Sequence, residues 1–196
     1  VIAIVDYGAG NVTSVKRALE HIGRECSVTA DSAALERAER IIVPGVGHFR
    51  ATEAFASTGL GAALEREIAQ GTPVLGICLG MQWLFESSDE APELSGLAVF
   101  RGRCQAFPVT VKSPHVGWDQ LEIGGTSRLL AGLSSGVFVY FTHGYAAPLV
   151  KETVARCSYG APHTAALERG NLFAVQFHPE KSGDAGLAIL ENFCTC

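Results

Sequence analysis

No apolar run in the chain comes near the roughly 18 residues that a membrane-crossing helix requires. The opening Val1-Ile2-Ala3-Ile4-Val5 passes straight into Asp6-Tyr7-Gly8, with neither a basic n-region nor a small-residue cleavage site. Neither a bilayer nor a secretory route is therefore expected, and the reading is a cytoplasmic protein. Positive charge is also short: 15 Lys and Arg stand against 20 Asp and Glu, a net charge of −5, which leaves no basic stripe for a nucleic-acid backbone. The six cysteines include no C-x2-C pair, and with 47% hydrophobic content the premise of a disulfide scaffold is missing, so reduced thiols are expected. The histidines other than His178, namely His21, His48, His115, His143 and His163, show no H-x3-H or equivalent ligand spacing, so no metal is expected. Gly8-Ala9-Gly10 follows a predicted strand, but Thr13 stands where a dinucleotide fingerprint needs its third glycine, and no acid ends the second strand; no NAD, FAD or other cofactor is expected. Repeats, linkers and low-complexity segments are absent too.

What is present is a chain of 196 residues, enough for one substantial core, read as a single domain over 1–196. Val1 to Val5 reads as a strand buried on both faces, and Val12, Val15, Leu19 and Ile22 recur at helical spacing before Gly23. Asn11 is the helix cap, which disposes of the glycosylation sequon it forms with Thr13. Strands follow at Arg24 to Thr29 and Arg40 to Val43, a helix at Leu60 to Ala69 and a strand at Pro73 to Ile77. This alternation predicts an α/β fold, an open, mostly parallel sheet with helices on both faces. From Ala98 the pattern turns hairpin-like: strands at Cys104 to Val111, Trp118 to Ile123, Val137 to Phe141, Val154 to Tyr159 and Leu172 to Phe177 predict an antiparallel or mixed extension of the same sheet. A last helix runs from Ala185 to Phe193.

Between a predicted strand and a predicted helix stands Gly76-Ile77-Cys78-Leu79-Gly80, the thiol form of a nucleophile elbow. Such a bend forces its central residue into a strained conformation, so the residues two before and two after must be small. The following helix start favours a thiolate and any oxyanion beside it. Taken alone, the same five residues also describe a small buried cysteine between two glycines. Gln176-Phe177-His178-Pro179-Glu180 ends a later strand; residues i and i+2 of an extended segment share a side, so the imidazole of His178 and the carboxylate of Glu180 can serve one site as base and orienter. Pro44-Gly45-Val46-Gly47 lets peptide planes rotate, so the Val46 and Gly47 N–H groups, with that of Leu79, are candidate oxyanion donors.

With these three segments in this order, the chain resembles the class I, triad-type glutamine amidotransferases from Asp6 to Phe193. Within that class it is similar to the glutaminase subunits of imidazole glycerol phosphate synthase. Asp6-Tyr7-Gly8-Ala9-Gly10-Asn11, Pro44-Gly45-Val46-Gly47-His48-Phe49, Gly76-Ile77-Cys78-Leu79-Gly80-Met81-Gln82, Pro114-His115-Val116-Gly117-Trp118 and Phe177-His178-Pro179-Glu180-Lys181-Ser182 carry the likeness. Met81 separates it from the anthranilate and aminodeoxychorismate relatives, which usually carry His there. The resemblance implies Cys78 as nucleophile forming a thioester with glutamine, His178 as acid and base, and Glu180 as orienter. It implies glutamine held by Gln82 and by backbone around Gly45, Gly47, Gly144 and Tyr145. It further implies a heterodimer with a (β/α)8-barrel cyclase subunit, which uses the ammonia in histidine biosynthesis to make imidazole glycerol phosphate and the by-product AICAR. Asn11, Trp118, Asp119, Tyr140 and Lys181 match the family's docking face. Two positions depart: Asp119 replaces the usual Asn, and Gly144 replaces a hydroxyl residue. The glutaminase of another synthase, a cysteine peptidase or DJ-1-like hydrolase sharing the elbow, and a flavodoxin-like binding module are the alternatives.

Overall fold

The computed structural model describes residues 1–196. The chain begins with β1 (Ile2–Val5) and α1 (Val12–His21), whose cap Asn11 accepts the Ser14 N–H through its side-chain oxygen at 3.4 Å. Then come β2 (Cys26–Thr29), α2 (Ser32–Leu35), β3 (Arg40–Gly45), a 3-10 turn (Phe49–Thr52), α3 (Glu53–Ser57), α4 (Leu60–Gln70), β4 (Val74–Cys78) and α5 (Leu79–Gln82). The second half contributes β5 (Ser87–Ser88), β6 (Arg103–Ala106), β7 (His115–Gln120), β8 (Glu122–Ile123), β9 (Phe138–His143) and β10 (Tyr145–Ala146). It closes with β11 (Thr153–Tyr159), β12 (Ala161–Arg169), β13 (Leu172–Val175), a 3-10 turn (Pro179–Lys181) and α6 (Gly183–Thr195). No helix is long and apolar enough to cross a membrane.

The main sheet has eight strands in the order β2-β1-β3-β4-β13-β12-β11-β8. The first five pair in parallel, with helical connections joining β1 to β4 in turn and β13 arriving from β12, and the rest pair antiparallel. Strand alternation divides the apolar residues between two cores. Ile2, Ile4, Ile42, Leu75, Ile77 and Phe173 pack against Val15 and Leu19 of α1 and Ile189 and Phe193 of α6. Ala3, Val5, Ile41, Val43 and Val74 pack against Leu35, Phe55, Leu60 and Leu64 of α2 to α4 on the other face. Each such Leu, Ile or Phe contributes about 1.5–3 kcal/mol of burial.

The second half differs from the sequence expectation in three places. Trp118 to Ile123 is two strands: Leu121, fully buried, exchanges backbone hydrogen bonds with Val137 and Gly136 and turns the chain there. The part before it, β7, pairs with β9 in a separate two-stranded ribbon, and only β8 reaches the main sheet. β6 stops at Ala106, shortly before Pro108, and lies in a small sheet with β5 and β10. β12 has no counterpart in the expected strands: Pro162, His163 and Thr164 interrupt its apolar pattern, yet His163 to Leu167 are buried between β11 and β13.

Candidate active site

Cys78 closes β4 and caps α5 with φ 53° and ψ −104°, a positive φ that a non-glycine residue holds at a cost of about 1–3 kcal/mol. The flanking glycines make the bend possible. A Cβ on Gly76 would lie 2.8 Å from the Gly80 carbonyl oxygen. Gly45, the register partner of Cys78 on β3, has no more room: a Cβ there would lie 2.6 Å from Leu79 Cβ and 2.9 Å from Gly80 N. The elbow therefore sits at the carboxyl ends of β3 and β4, where open α/β sheets bind ligands. Cys78 as a whole is 5% exposed, with Sγ 3.9 Å from the Thr142 carbonyl oxygen.

β13 runs parallel to β4, with Val175 opposite Ile77, so the residues just beyond it arrive beside the sulfur. Gln176 donates from Nε2 to Cys78 Sγ at 3.6 Å. Two residues on, His178 Nδ1 donates to Glu180 Oε1 at 2.8 Å, and both side chains are 1% exposed. His178 Nε2 is left buried with no hydrogen-bonding partner of its own. Burial alone lowers the imidazole pKa, but the neighbouring Cys78 and Glu180 outweigh it and lift the pKa to about 9. The fold thus brings Cys78, His178 and Glu180 together, with the carboxylate fixing one ring nitrogen and freeing the other.

Beyond β3 the chain runs through Val46 to Gly47, which has φ +101°. The amide N–H groups of Val46 and Gly47 donate to no protein acceptor. Leu79 is the first residue of α5, whose first-turn N–H groups have no acceptor within the helix. The donor set expected of an oxyanion site therefore flanks Cys78 on two sides. Gln82 is buried, and its Nε2 donates to the Tyr145 carbonyl at 2.8 Å and to Gln176 Oε1 at 3.1 Å, leaving its own Oε1 free. Gly144 has room for a Cβ, which would make an ordinary contact with Ser113 Oγ at 3.7 Å. The sequence motif by itself assigns Gln176 no role. Its place directly after β13 and two residues before His178 is the signal that finds it.

The five residues expected at a docking face fall into two groups. Trp118 and Tyr140 are register partners on the ribbon, with ring centroids 6.1 Å apart in an edge contact, and Lys181 Nζ lies 5.8 Å from the Tyr140 ring. Val116, Trp118 and Phe138, all on the outward-facing side, are 57%, 55% and 51% exposed. Asn11 is taken up in capping α1, which packs beside the Pro179–Lys181 turn, and Asp119 points to the inner side of the ribbon, 3.3 Å from His115 Nε2. A cavity of about 320 Å³ opens between α1 and that turn, with Glu180 in its wall.

The family model for glutamine amidotransferase class-I matches residues 3–195. A protein named imidazole glycerol phosphate synthase subunit HisH, from Deinococcus radiodurans, is 45% identical over 98% of this chain and 92% of its own length. The protein of the same name from Methanothermobacter thermautotrophicus is 46% identical over 98% of this chain and 97% of its own. Among solved structures, a crystal structure described as glutamine amidotransferase superposes with a TM-score of 0.76 at 22% identity, covering 98% of both chains. The PurLQS structure from Thermotoga maritima gives 0.76 at 20% identity, covering 99% of this chain and 97% of that one. At these identities the structural likeness is one of fold.

Proposed function

Because the chain belongs to the class-I glutamine amidotransferases, and among them to the family of HisH subunits of imidazole glycerol phosphate synthase, we propose that it is the glutaminase half of such a synthase. It hydrolyses glutamine and passes the ammonia to a (β/α)8-barrel cyclase. The observation that carries this reading is the His178–Glu180 hydrogen bond at 2.8 Å, which leaves Nε2 unpartnered beside an elbow cysteine.

In this mechanism Cys78 Sγ attacks the side-chain amide carbon of glutamine, with the thiol proton already held on His178 Nε2. A pKa near 9 lets the imidazolium keep that proton at neutral pH. The oxyanion is received by the N–H groups of Leu79 and of the Val46–Gly47 segment, each donor worth about 3 kcal/mol. Collapse breaks the C–N bond, His178 protonates the departing nitrogen, and ammonia leaves with a thioester on Cys78. Water, deprotonated by His178, then cleaves the thioester to glutamate and restores the thiol. Gln82 Oε1 and the backbone near Gly45, Gly47, Gly144 and Tyr145 hold the substrate.

The apolar outer side of the β7–β9 ribbon supports docking of the cyclase there, through Trp118, Tyr140 and Lys181 with Asn11 and Asp119 at its margin. The glycine next to Val46 and the 5% exposure of Cys78 support gating, in which docking turns the oxyanion donors and uncovers the thiol. The test measures glutamine hydrolysis by the chain alone, with cyclase, and with cyclase plus its nucleotide ligand. Rates should rise in that order and vanish throughout in Cys78→Ala, while cyclase synthesis from added ammonia continues. Turnover that survives Cys78→Ala would end this reading; equal rates in the three conditions would end the gating part alone.

A further inference from the structure

Three of the histidines that show no ligand spacing in the sequence meet inside the protein. His115 comes from β7, His143 from β9 and His163 from β12; all three are buried, and one ligand atom of each lies within 4.8 Å of the others. Spacing along the chain misses such a set because each ligand arrives on a different strand.

An acceptor on the outer side fixes each ring. A carbonyl oxygen only accepts, so the 2.9 Å contact with Tyr145 O places the His143 proton on Nδ1, and the 3.4 Å contact with Ala161 O does the same for His163. His115 Nε2 lies 3.3 Å from the Asp119 carboxylate, which places its proton there. The nitrogens left with lone pairs are His115 Nδ1, His143 Nε2 and His163 Nε2, and these three are buried without any hydrogen-bonding partner. Burial also holds all three rings neutral at neutral pH, lowering His143 to about 3 and His163 to about 4, and lowering His115 as well. A carboxylate or backbone carbonyl behind each imidazole is the arrangement that orients metal-bound histidines.

We propose that His115, His143 and His163 form a binding site for a divalent transition metal of the zinc class. Three neutral imidazoles suit zinc or cobalt and disfavour magnesium and calcium, which take oxygen ligands. Tetrahedral zinc with nitrogen ligands needs nitrogens about 3.4 Å apart, so the rings close slightly around the ion. Asp119 supplies the carboxylate behind His115. The ion ties both strands of the exposed ribbon to β12 of the main sheet. It also steadies the Tyr145 carbonyl, which accepts from His143 Nδ1 and from Gln82 Nε2. None of its ligands belongs to the Cys78 triad, so the site stands independently of the glutaminase reading.

The experiment titrates the metal-free full chain, carrying Cys78→Ala so that the elbow thiol is absent, with Co2+ and with Zn2+ alone. One equivalent should bind, the cobalt form should show visible d–d bands without a near-ultraviolet sulfur-to-cobalt band, and Tm should climb with Zn2+ concentration. Asp119→Asn should weaken binding about 10- to 100-fold, and His163→Leu should abolish it. If His163→Leu does not fold, Asp119→Asn decides the matter. Absence of binding at tens of micromolar metal, a sulfur-to-cobalt band, or affinity indifferent to Asp119→Asn would overturn the proposal.

Discussion

The backbones of Tyr140 and His178 are hydrogen-bonded to each other: the His178 N–H donates to the Tyr140 carbonyl at 2.9 Å. Ser182 closes the loop, its Oγ accepting the Tyr140 N–H at 3.0 Å and donating to the His178 carbonyl at 2.6 Å. A residue on the exposed ribbon thus shares a rigid bracket with the imidazole of the candidate triad.

Ser182→Ala removes that bracket and leaves the Tyr140 N–H without an acceptor, at a cost of about 1–3 kcal/mol. Activation by the cyclase should fall more than basal glutamine turnover does. Steady-state rates of the variant with and without cyclase check this; an unchanged activation ratio would show that the bracket transmits nothing.

Glu180→Gln keeps the shape and removes the charge that orients His178. The kcat for glutamine hydrolysis should drop on the order of 10²- to 10⁴-fold with little change in KM. Initial rates across glutamine concentrations measure the split.

Stability should carry the mark of His178. Its folded-state pKa of about 9 exceeds the ordinary 6.5, so between those values the native protein holds a proton that the unfolded chain has released. This contribution is whole below pH 6.5 and is lost as pH rises through 9. Urea midpoints from pH 6.5 to 9.5 should decline for the natural chain and decline less in Glu180→Gln. Parallel slopes would contradict the assignment.

Gly76→Ala would put a methyl group against the backbone of Gly80 inside the elbow, and unfolding free energy should fall by about 1–3 kcal/mol. Urea denaturation gives the number. Recovery of full stability would mean that the bend tolerates a side chain.

Trp118→Ala takes the largest exposed aromatic from the ribbon, and affinity for the cyclase should weaken by tenfold or more, as at an interface hot spot. Calorimetric titration of the two subunits reads this directly.

Much of this site was legible because its parts are local in sequence. The elbow is written in five consecutive residues, and His178 and Glu180 stand two residues apart, although the pairing expected of an extended strand end is made instead by the Pro179–Lys181 turn that His178 caps. The parallel half of the sheet was legible for the same reason: Ile2 and Ile4 against Ala3 and Val5 sort the two cores without reference to distant partners. What stayed hidden depends on who pairs with whom. Leu121 turns the chain through hydrogen bonds to Gly136 and Val137, β12 is buried in spite of its polar residues, and the histidines of three strands converge only once the ribbon lies against the sheet. Non-local strand pairing leaves no periodic trace in either partner.

Enclosure of the Cys78 sulfur bears on how long the protein survives between turnovers. A nucleophilic thiol open to solvent is the first group that peroxide converts to sulfenic and then irreversibly to sulfinic acid. Here Gln176 and the Thr142 carbonyl close over the sulfur, and little of it meets solvent. Under the proposed gating, damage by oxidants is confined to the intervals when the site opens for substrate, so an idle molecule ages more slowly than a working one.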